Sequence, residues 1–342
     1  MPRKLRYMPH PYSIMEVTIR CTQERFLLRP AAELNDLLLG VLGRALALYP
    51  AVRLYQFKFL SDHVHLILAA PDVYTLAQFM GHIGSNIARE AGRFHGWEGR
   101  VLQRRYDSAS IEDDESLVRK AKYVLAQGCK EGLVASPLDW PGASSDRALL
   151  YGEKLEGTWY DRTAFCKAER RGKNVRLADF ATRYEVPLAR LPRHKGKSEQ
   201  EVQAFYQQLA EEIEHETHRH CIDENKPLLG VQAVLDKDPF DRAMKPKRSP
   251  APLCHAATKQ RRDEYRSAYL DFVARYRQAA KRLRHGEEGV AFPAGSFLPT
   301  GLPAPQQAAP QQVGPPVPEN SSVRRDLRPR PLSRGIGESA ND

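Results

Sequence analysis

Phe57-Lys58-Phe59-Leu60-Ser61-Asp62-His63-Val64-His65-Leu66-Ile67-Leu68 is the stretch on which the fold of this chain turns. Two apolar runs flank the short polar link Ser61-Asp62, which predicts strands over 52–60 and 63–70 joined as a hairpin. Side chains alternate along a strand, so His63 and His65 project from one face, side by side on a stiff backbone. Such a pair of imidazoles can serve one metal ion. Taken alone, the pair favours a plainer reading, one hydrogen-bonded core histidine beside an incidental one, and the rest of the chain has to shift the balance.

Working outward, residues 13–23 alternate like a strand, and residues 31–49 carry apolar side chains at helical spacing up to Pro50. Residues 75–94 predict a second helix with Thr75 as N-cap. Residues 100–111 predict a fourth strand. Residues 113–134 predict a third helix, opened by Asp113-Asp114-Glu115 at its positive end. The order strand, helix, strand, strand, helix, strand, helix predicts an α+β fold, a ferredoxin-like antiparallel sheet with helices, over residues 1–145. Residues 136–146 form a turn-rich exit. Residues 146–285 predict a mostly helical accessory region, clearest at 199–221, ending in a basic helix over 258–285. Residues 286–342 hold ten of the 25 prolines and two aromatics, Phe292 and Phe297, and predict a disordered tail.

The 342 residues are 42% hydrophobic, enough for a buried core, and the formal charge of +10 suits a polyanionic partner such as nucleic acid. Five scattered cysteines without a CxxC argue against a disulfide framework or zinc ribbon and fit a reducing cytosol. No apolar run follows the N-terminal MPRKLRY, so neither a signal peptide nor a membrane span is expected. The expected location is the cytoplasm, in association with the nucleoid.

Tyr123 and Gln127 are four residues apart in the third helix and so share a face. Tyrosine can act as a covalent nucleophile but needs help at neutral pH, its phenol having a pKa of about 10. A divalent cation gives that help by neutralising charge on a phosphate, and a glutamine carbonyl is a hard oxygen donor suited to Mg²⁺ or Mn²⁺. An ordinary helix aromatic packed at the sheet edge is the competing reading of Tyr123.

A His-hydrophobe-His strand followed by one tyrosine on a later helix resembles the HUH nuclease superfamily. More narrowly, the chain resembles the REP-associated tyrosine transposases. The match is carried by Ser61-Asp62-His63-Val64-His65-Leu66-Ile67-Leu68, by Tyr123-Val-Leu-Ala-Gln127, and by Glu131-Gly-Leu-Val134 with Ser136-Pro-Leu-Asp-Trp-Pro141, all within about the first 145 residues. Lys247 to Ala257 and the basic helix after it resemble the C-terminal region of longer members. The resemblance implies His63 and His65 as metal ligands, Gln127 as the third protein ligand, and Tyr123 as the nucleophile. It implies Mg²⁺ or Mn²⁺, single-stranded DNA with hairpin repeats as partner, a monomer or homodimer, and nicking and rejoining through a 5′-phosphotyrosine. One departure is Asp62, where many relatives have Asn; its carboxylate would tighten metal binding or cap the hairpin.

Arg104, Arg105, Arg119, Lys120 and Lys122 are expected to meet backbone phosphate near Tyr123. Arg261 and Arg262 open the basic helix, where Lys259 to His285 holds nine Lys or Arg against three acids. Tyr265, Tyr269, Phe272 and Tyr276 are expected to pack that helix onto the body. His215 and His218, with Cys221, Cys254 and His255, offer a weaker zinc reading. Two other functions compete: a non-catalytic hairpin-binding protein, and a metallohydrolase using water with Asp62 as base.

Overall fold

The computed structural model describes residues 5–242 and 252–297. In chain order the elements are β1 (Ile14–Arg20), α1 (Ala32–Leu48), β2 (Arg53–Phe59), β3 (His63–Ala69), α2 (Val73–His95), β4 (Asp107–Ile111), α3 (Asp114–Leu125) and α4 (Asp146–Tyr151). They continue with β5 (Glu156–Tyr160), α5 (Arg162–Arg170), β6 (Ala181–Glu185), α6 (Glu199–Asp223), α7 (Val231–Leu235), β7 (Cys254–His255) and α8 (Lys259–Arg284). The fold is α+β, and its first seven elements follow the order read from the sequence.

The main sheet has strand order β2-β3-β1-β4-β7, antiparallel except for the parallel β4–β7 edge. Alternation along β3 divides its side chains between two cores. Val64, Leu66 and Leu68 join Met15, Val17 and Ile19 of β1 under α1 and α2. Ile67 and Ala69 turn to the opposite face, where Leu117, Ala121, Val124 and Leu125 of α3 cover them. Both faces are covered, so β3 is buried along almost its whole length. His63 and His65 share the α3 face with Ile67 by the same alternation.

The helices form where apolar residues recur at three- and four-residue spacing. Leu34, Leu37, Leu38, Val41, Leu42 and Ala45 make one buried stripe of α1. The N-cap of α2 is Asp72 and not the expected Thr75: the Asp72 carboxylate accepts from the backbone N–H groups of Tyr74 and Thr75, each at 2.8 Å. The fourth strand is shorter than 100–111, because only 107–110 pair along β1, Ile111 pairs with β7, and residue 102 makes a single bridge to Cys21. The third helix ends at Leu125 instead of reaching 134. The Lys58 ammonium takes the Leu125 carbonyl at 2.9 Å, and Gly128 adopts φ 92°.

Residues 146–285 are less helical than expected. β5 and β6 form a hairpin whose backbone lies on α1 at a glycine contact: a Cβ on Gly40 would stand 2.0 Å from the Thr158 carbonyl oxygen. Nor does the core stop at residue 145. Asp146 pairs with Lys58 at 2.8 Å, both buried, and Tyr206, Leu209 and Ile213 of α6 join the cluster under α3. On α8, Tyr265 and Phe272 are buried and meet Tyr7, with ring centroids 5.9 and 4.5 Å away. The Tyr269 hydroxyl donates to the Leu5 carbonyl, so the aromatic stripe packs this helix onto the body. The disordered tail expected from 286 is corrected over 286–297. Phe297 packs on the α1–α2 core, Arg6 lies over its ring, Ser296 bridges Tyr7, and Phe292 meets Tyr276. Residues 298–342 of that expectation lie outside the described residues. Among the described residues no helix is long and apolar enough to cross a membrane.

Gly40→Ala should push the β5–β6 hairpin off α1, since a methyl group cannot fit 2.0 Å from backbone oxygen. The expected cost is about 1–3 kcal/mol, the usual scale of overpacking. Urea unfolding should show it as a lower midpoint at unchanged slope, whereas Gly81→Ala, on an open helix face, should be neutral or stabilising.

Candidate functional site

His63 and His65 stand at the start of β3, on the face that α3 covers in part. Their Nε2 atoms are 3.1 Å apart. Each Nδ1 is met by a carboxylate: His63 Nδ1 lies 2.6 Å from Asp62 Oδ1, and His65 Nδ1 lies 3.3 Å from Glu16 Oε1. Thr18 is directly opposite His65 in the β1–β3 register, and its Oγ1 is also 3.3 Å from His65 Nδ1. An ionised carboxylate only accepts, so it holds the imidazole proton on Nδ1 and leaves Nε2 with a lone pair. Two lone pairs aimed at each other across 3.1 Å repel unless a proton or cation lies between them. Cis nitrogens on one divalent ion, at about 2.1 Å from it, are also roughly 3 Å apart. With a carboxylate behind each ring, the pair therefore fits a metal ion.

Electrostatics support this protonation pattern. Burial drives the His65 imidazole down to about 4, against the opposing hydrogen bond to Glu16 and with help from nearby His63. Burial alone would raise the Glu16 carboxyl. Hydrogen bonds from His255 and His65 and the charge of Lys120 override it and hold Glu16 well below the usual carboxylate range. Asp62 is likewise lowered, the His63 contact outweighing burial. The Asp62 carboxylate backs His63 and also takes a backbone hydrogen bond at the hairpin.

Tyr123 presents its ring edge to His65, centroids 5.6 Å apart, and is 37% exposed, open enough for a substrate to reach. Lys120 Nζ stands 4.2 Å and Lys130 Nζ 3.7 Å from the centre of the tyrosine ring. The helix bearing Tyr123 is fixed from below by β2. Gln56 Nε2 donates to the Ala121 carbonyl at 3.2 Å, and Lys58 donates to that of Leu125. Both residues lie on the face of His65, for Lys58 is opposite His65 in the β2–β3 register.

His63, His65 and Tyr123 are therefore brought together. Gln127 lies past the end of α3, buried, and its Nε2 donates to the Tyr123 carbonyl at 3.3 Å. Among the described residues no group of three or more His, Cys, Asp or Glu is disposed to hold a metal ion. Donors of another kind, an amide, water or a substrate phosphate, must complete a shell around the histidine pair. The zinc reading finds no cluster: His255 sits on β7 against Glu16, while His215 and His218 are exposed on α6.

The basic residues divide. Lys120 faces the site and pairs with Glu16 Oε2 at 2.8 Å. Arg105 lines a cleft of about 110 Å³ with Glu16, Thr18 and Arg6. Arg104 and Arg119 are exposed and pair with Asp107 and Glu115. Lys122 lies 2.8 Å from both Glu212 and Glu216 of α6. Arg261 and Arg262 turn toward the backbone carbonyls of Glu112 and of Ala256 and Ala257. Glu16, His255 and Lys130 are site residues that the sequence reading missed. Glu16 and Thr18 were legible as the polar pair on one face of the first strand; His255 is brought in by long-range parallel pairing, which leaves no local signal.

In metal-free protein, His65 should make stability fall with acid. Between about 4 and the ordinary histidine value of 6.5 the unfolded chain binds a proton that the folded imidazole refuses. Stability is thus full above that window and falls as pH drops through it, by about 1.4 kcal/mol per unit at most. Burial lowers His82, His95 and His194 too, and they act in the same sense. The readout is therefore the difference between wild type and His65→Asn, whose urea midpoint should change less between pH 6.5 and 4.

No family model and no curated protein matches this chain. Among solved structures it is similar to a REP-associated tyrosine transposase bound to a REP hairpin, at 17% identity and a TM-score of 0.36, over 44% of this chain and 87% of that one. It is also similar to a presumed transposase from Deinococcus radiodurans, at 18% identity and a TM-score of 0.26, over 37% of this chain and 98% of that one. The likeness in structure is thus to transposases, at scores too low to assign a role to any residue.

Proposed function

We propose that this chain is a metal-dependent endonuclease of transposase type, built on a ferredoxin-like HUH core, that nicks and rejoins single-stranded DNA beside hairpin repeats. The observation that carries the reading is the convergence of two carboxylate-backed Nε2 atoms next to an accessible tyrosine. Mg²⁺ or Mn²⁺, held by His63 and His65 with Gln127 as third protein donor, would polarise a phosphate oxygen and offset charge at the scissile group.

The chain's own groups supply the rest. Tyr123 Oη forms a bond to phosphorus as the bond from phosphorus to the 3′ oxygen breaks. The phenol proton passes to solvent, and the departing oxygen takes one up as a 3′ hydroxyl. The product is a 5′ phosphate esterified to Tyr123, and attack by a 3′ hydroxyl reverses the step without an energy source. Lys120 and Lys130, on the tyrosine ring, would draw a phosphate toward it. Gln56 and Lys58 keep the tyrosine helix in register with the histidines, so little ordering is left for the reaction step. Arg104, Arg105, Arg119 and the exposed charge of α8 would hold flanking DNA through its phosphates, in a salt-dependent way.

The water-using alternative is weakened because its candidate base, Asp62, is engaged by His63 Nδ1 at 2.6 Å. Purified protein mixed with labelled single-stranded hairpin DNA and Mn²⁺ should give a covalent band on a denaturing gel. Tyr123→Phe should abolish it, and His65→Ala or chelation should lower it at least about 100-fold. Cleavage that survives Tyr123→Phe would overturn the tyrosine mechanism in favour of water. Binding without cleavage would leave a recognition protein.

A further inference from the structure

We infer that Glu16 is the positioning residue of this site, one carboxylate that orients both His65 and the lysine lying on Tyr123, and that His255 from the C-terminal part of the chain holds it there. The inference rests on the proposed reading of His65 as a metal ligand and names what makes it one.

Glu16 lies on β1 opposite Ile67, two residues from Thr18 and on the same face, so its side chain meets His65 on the neighbouring strand diagonally. It is 8% exposed. Its two oxygens are divided between two tasks. Oε1 faces His65 Nδ1 at 3.3 Å, while Oε2 faces Lys120 Nζ at 2.8 Å and His255 Nε2 at 2.6 Å. Lys120 in turn stands over the ring of Tyr123. One buried group therefore links the strand carrying the imidazoles to the helix carrying the nucleophile. His255 reaches it because β7 adds in parallel to β4: His255 pairs with Ile111, on the same face as Ala109, which is opposite Glu16. The Glu112 N–H donates to the His255 carbonyl at 2.9 Å and fixes the backbone of that histidine.

An ionised carboxylate can serve all three partners because each of them donates. An amide of the same shape cannot. If the oxygen of a glutamine faced Lys120 and His255, its NH₂ would face His65 Nδ1. That N–H favours an accepting Nδ1, with the Thr18 hydroxyl able to turn its own proton toward it; the imidazole proton would move to Nε2, and the atom aimed at His63 would no longer have a lone pair to give. Glu16→Gln thus predicts a change of tautomer at His65 with little change of shape. Removal of His255 leaves the carboxylate in place but loosens it.

The test uses the full chain labelled with ¹⁵N-histidine, and Mn²⁺ as the probe. In wild type the His65 nitrogen shifts should report a proton on Nδ1; in Glu16→Gln they should report it on Nε2. Mn²⁺ affinity should fall about 10- to 100-fold in Glu16→Gln, the usual cost of losing a residue that orients a ligand, and in His255→Gln by a smaller but measurable factor. Glu16→Asp, which keeps the charge, should recover part of the loss. If Glu16→Gln does not fold, His255→Gln and Lys120→Met test the same network with the carboxylate intact, and both should weaken Mn²⁺. Wild-type tautomer and affinity in all the folded variants would overturn the positioning role. If wild type itself binds no Mn²⁺, or His65→Ala binds it equally well, it is the proposed function that fails.

Discussion

The alternation of side chains along β3 is the constraint from which the rest of this structure follows. Val64, Leu66 and Leu68 are committed to the core under α1 and α2, and that commitment fixes the register of the strand. A slip by one residue would bury His63 and His65 in hydrocarbon and expose three aliphatic side chains. The histidines are therefore held on the α3 face by the energy of the core, and the carboxylates of Asp62 and Glu16 have only to orient the rings there.

The same face carries a second layer of polar residues that would be costly if unpaired. Glu16, Gln56, Lys58 and Asp146 are all buried. Lys58 and Asp146 pair at 2.8 Å, Lys58 and Gln56 donate to carbonyls of α3, and Glu16 lies within ion-pair distance of His65, Lys120 and His255. Removing one partner of a buried pair leaves a stranded charge, which typically costs several kcal/mol. Such a network constrains geometry more than it adds stability. Here it joins β1, β2, β3, β7 and α3 around one point, the space between two imidazole nitrogens and a tyrosine ring.

Much of this was legible in the sequence. The hairpin at Ser61-Asp62, the shared face of His63 and His65, and the order of the first seven elements follow from alternation and helical spacing, which are local. The helix over 113–134 was read too long because its end is set by Lys58, far away in the chain, and by a glycine in the left-handed region. The β5–β6 hairpin was missed because it rests on a glycine contact with α1, which composition does not reveal. The pairing of Lys122 with two glutamates of α6, some 90 residues on, was not visible in the local charge pattern from which it was read as a DNA contact. His255 was visible as a residue but not as a site residue, since strand addition from the far end of the chain has no sequence period.

The most direct measurement is peptide mapping, by mass spectrometry, of the full chain after reaction with single-stranded hairpin DNA and Mn²⁺, followed by nuclease digestion. The account predicts a nucleotide joined through its 5′ phosphate to the peptide that begins at Tyr123, with fragment ions placing it on the phenol. A nucleotide on another residue, or cleaved DNA with 5′ phosphates and no modified peptide, would contradict it.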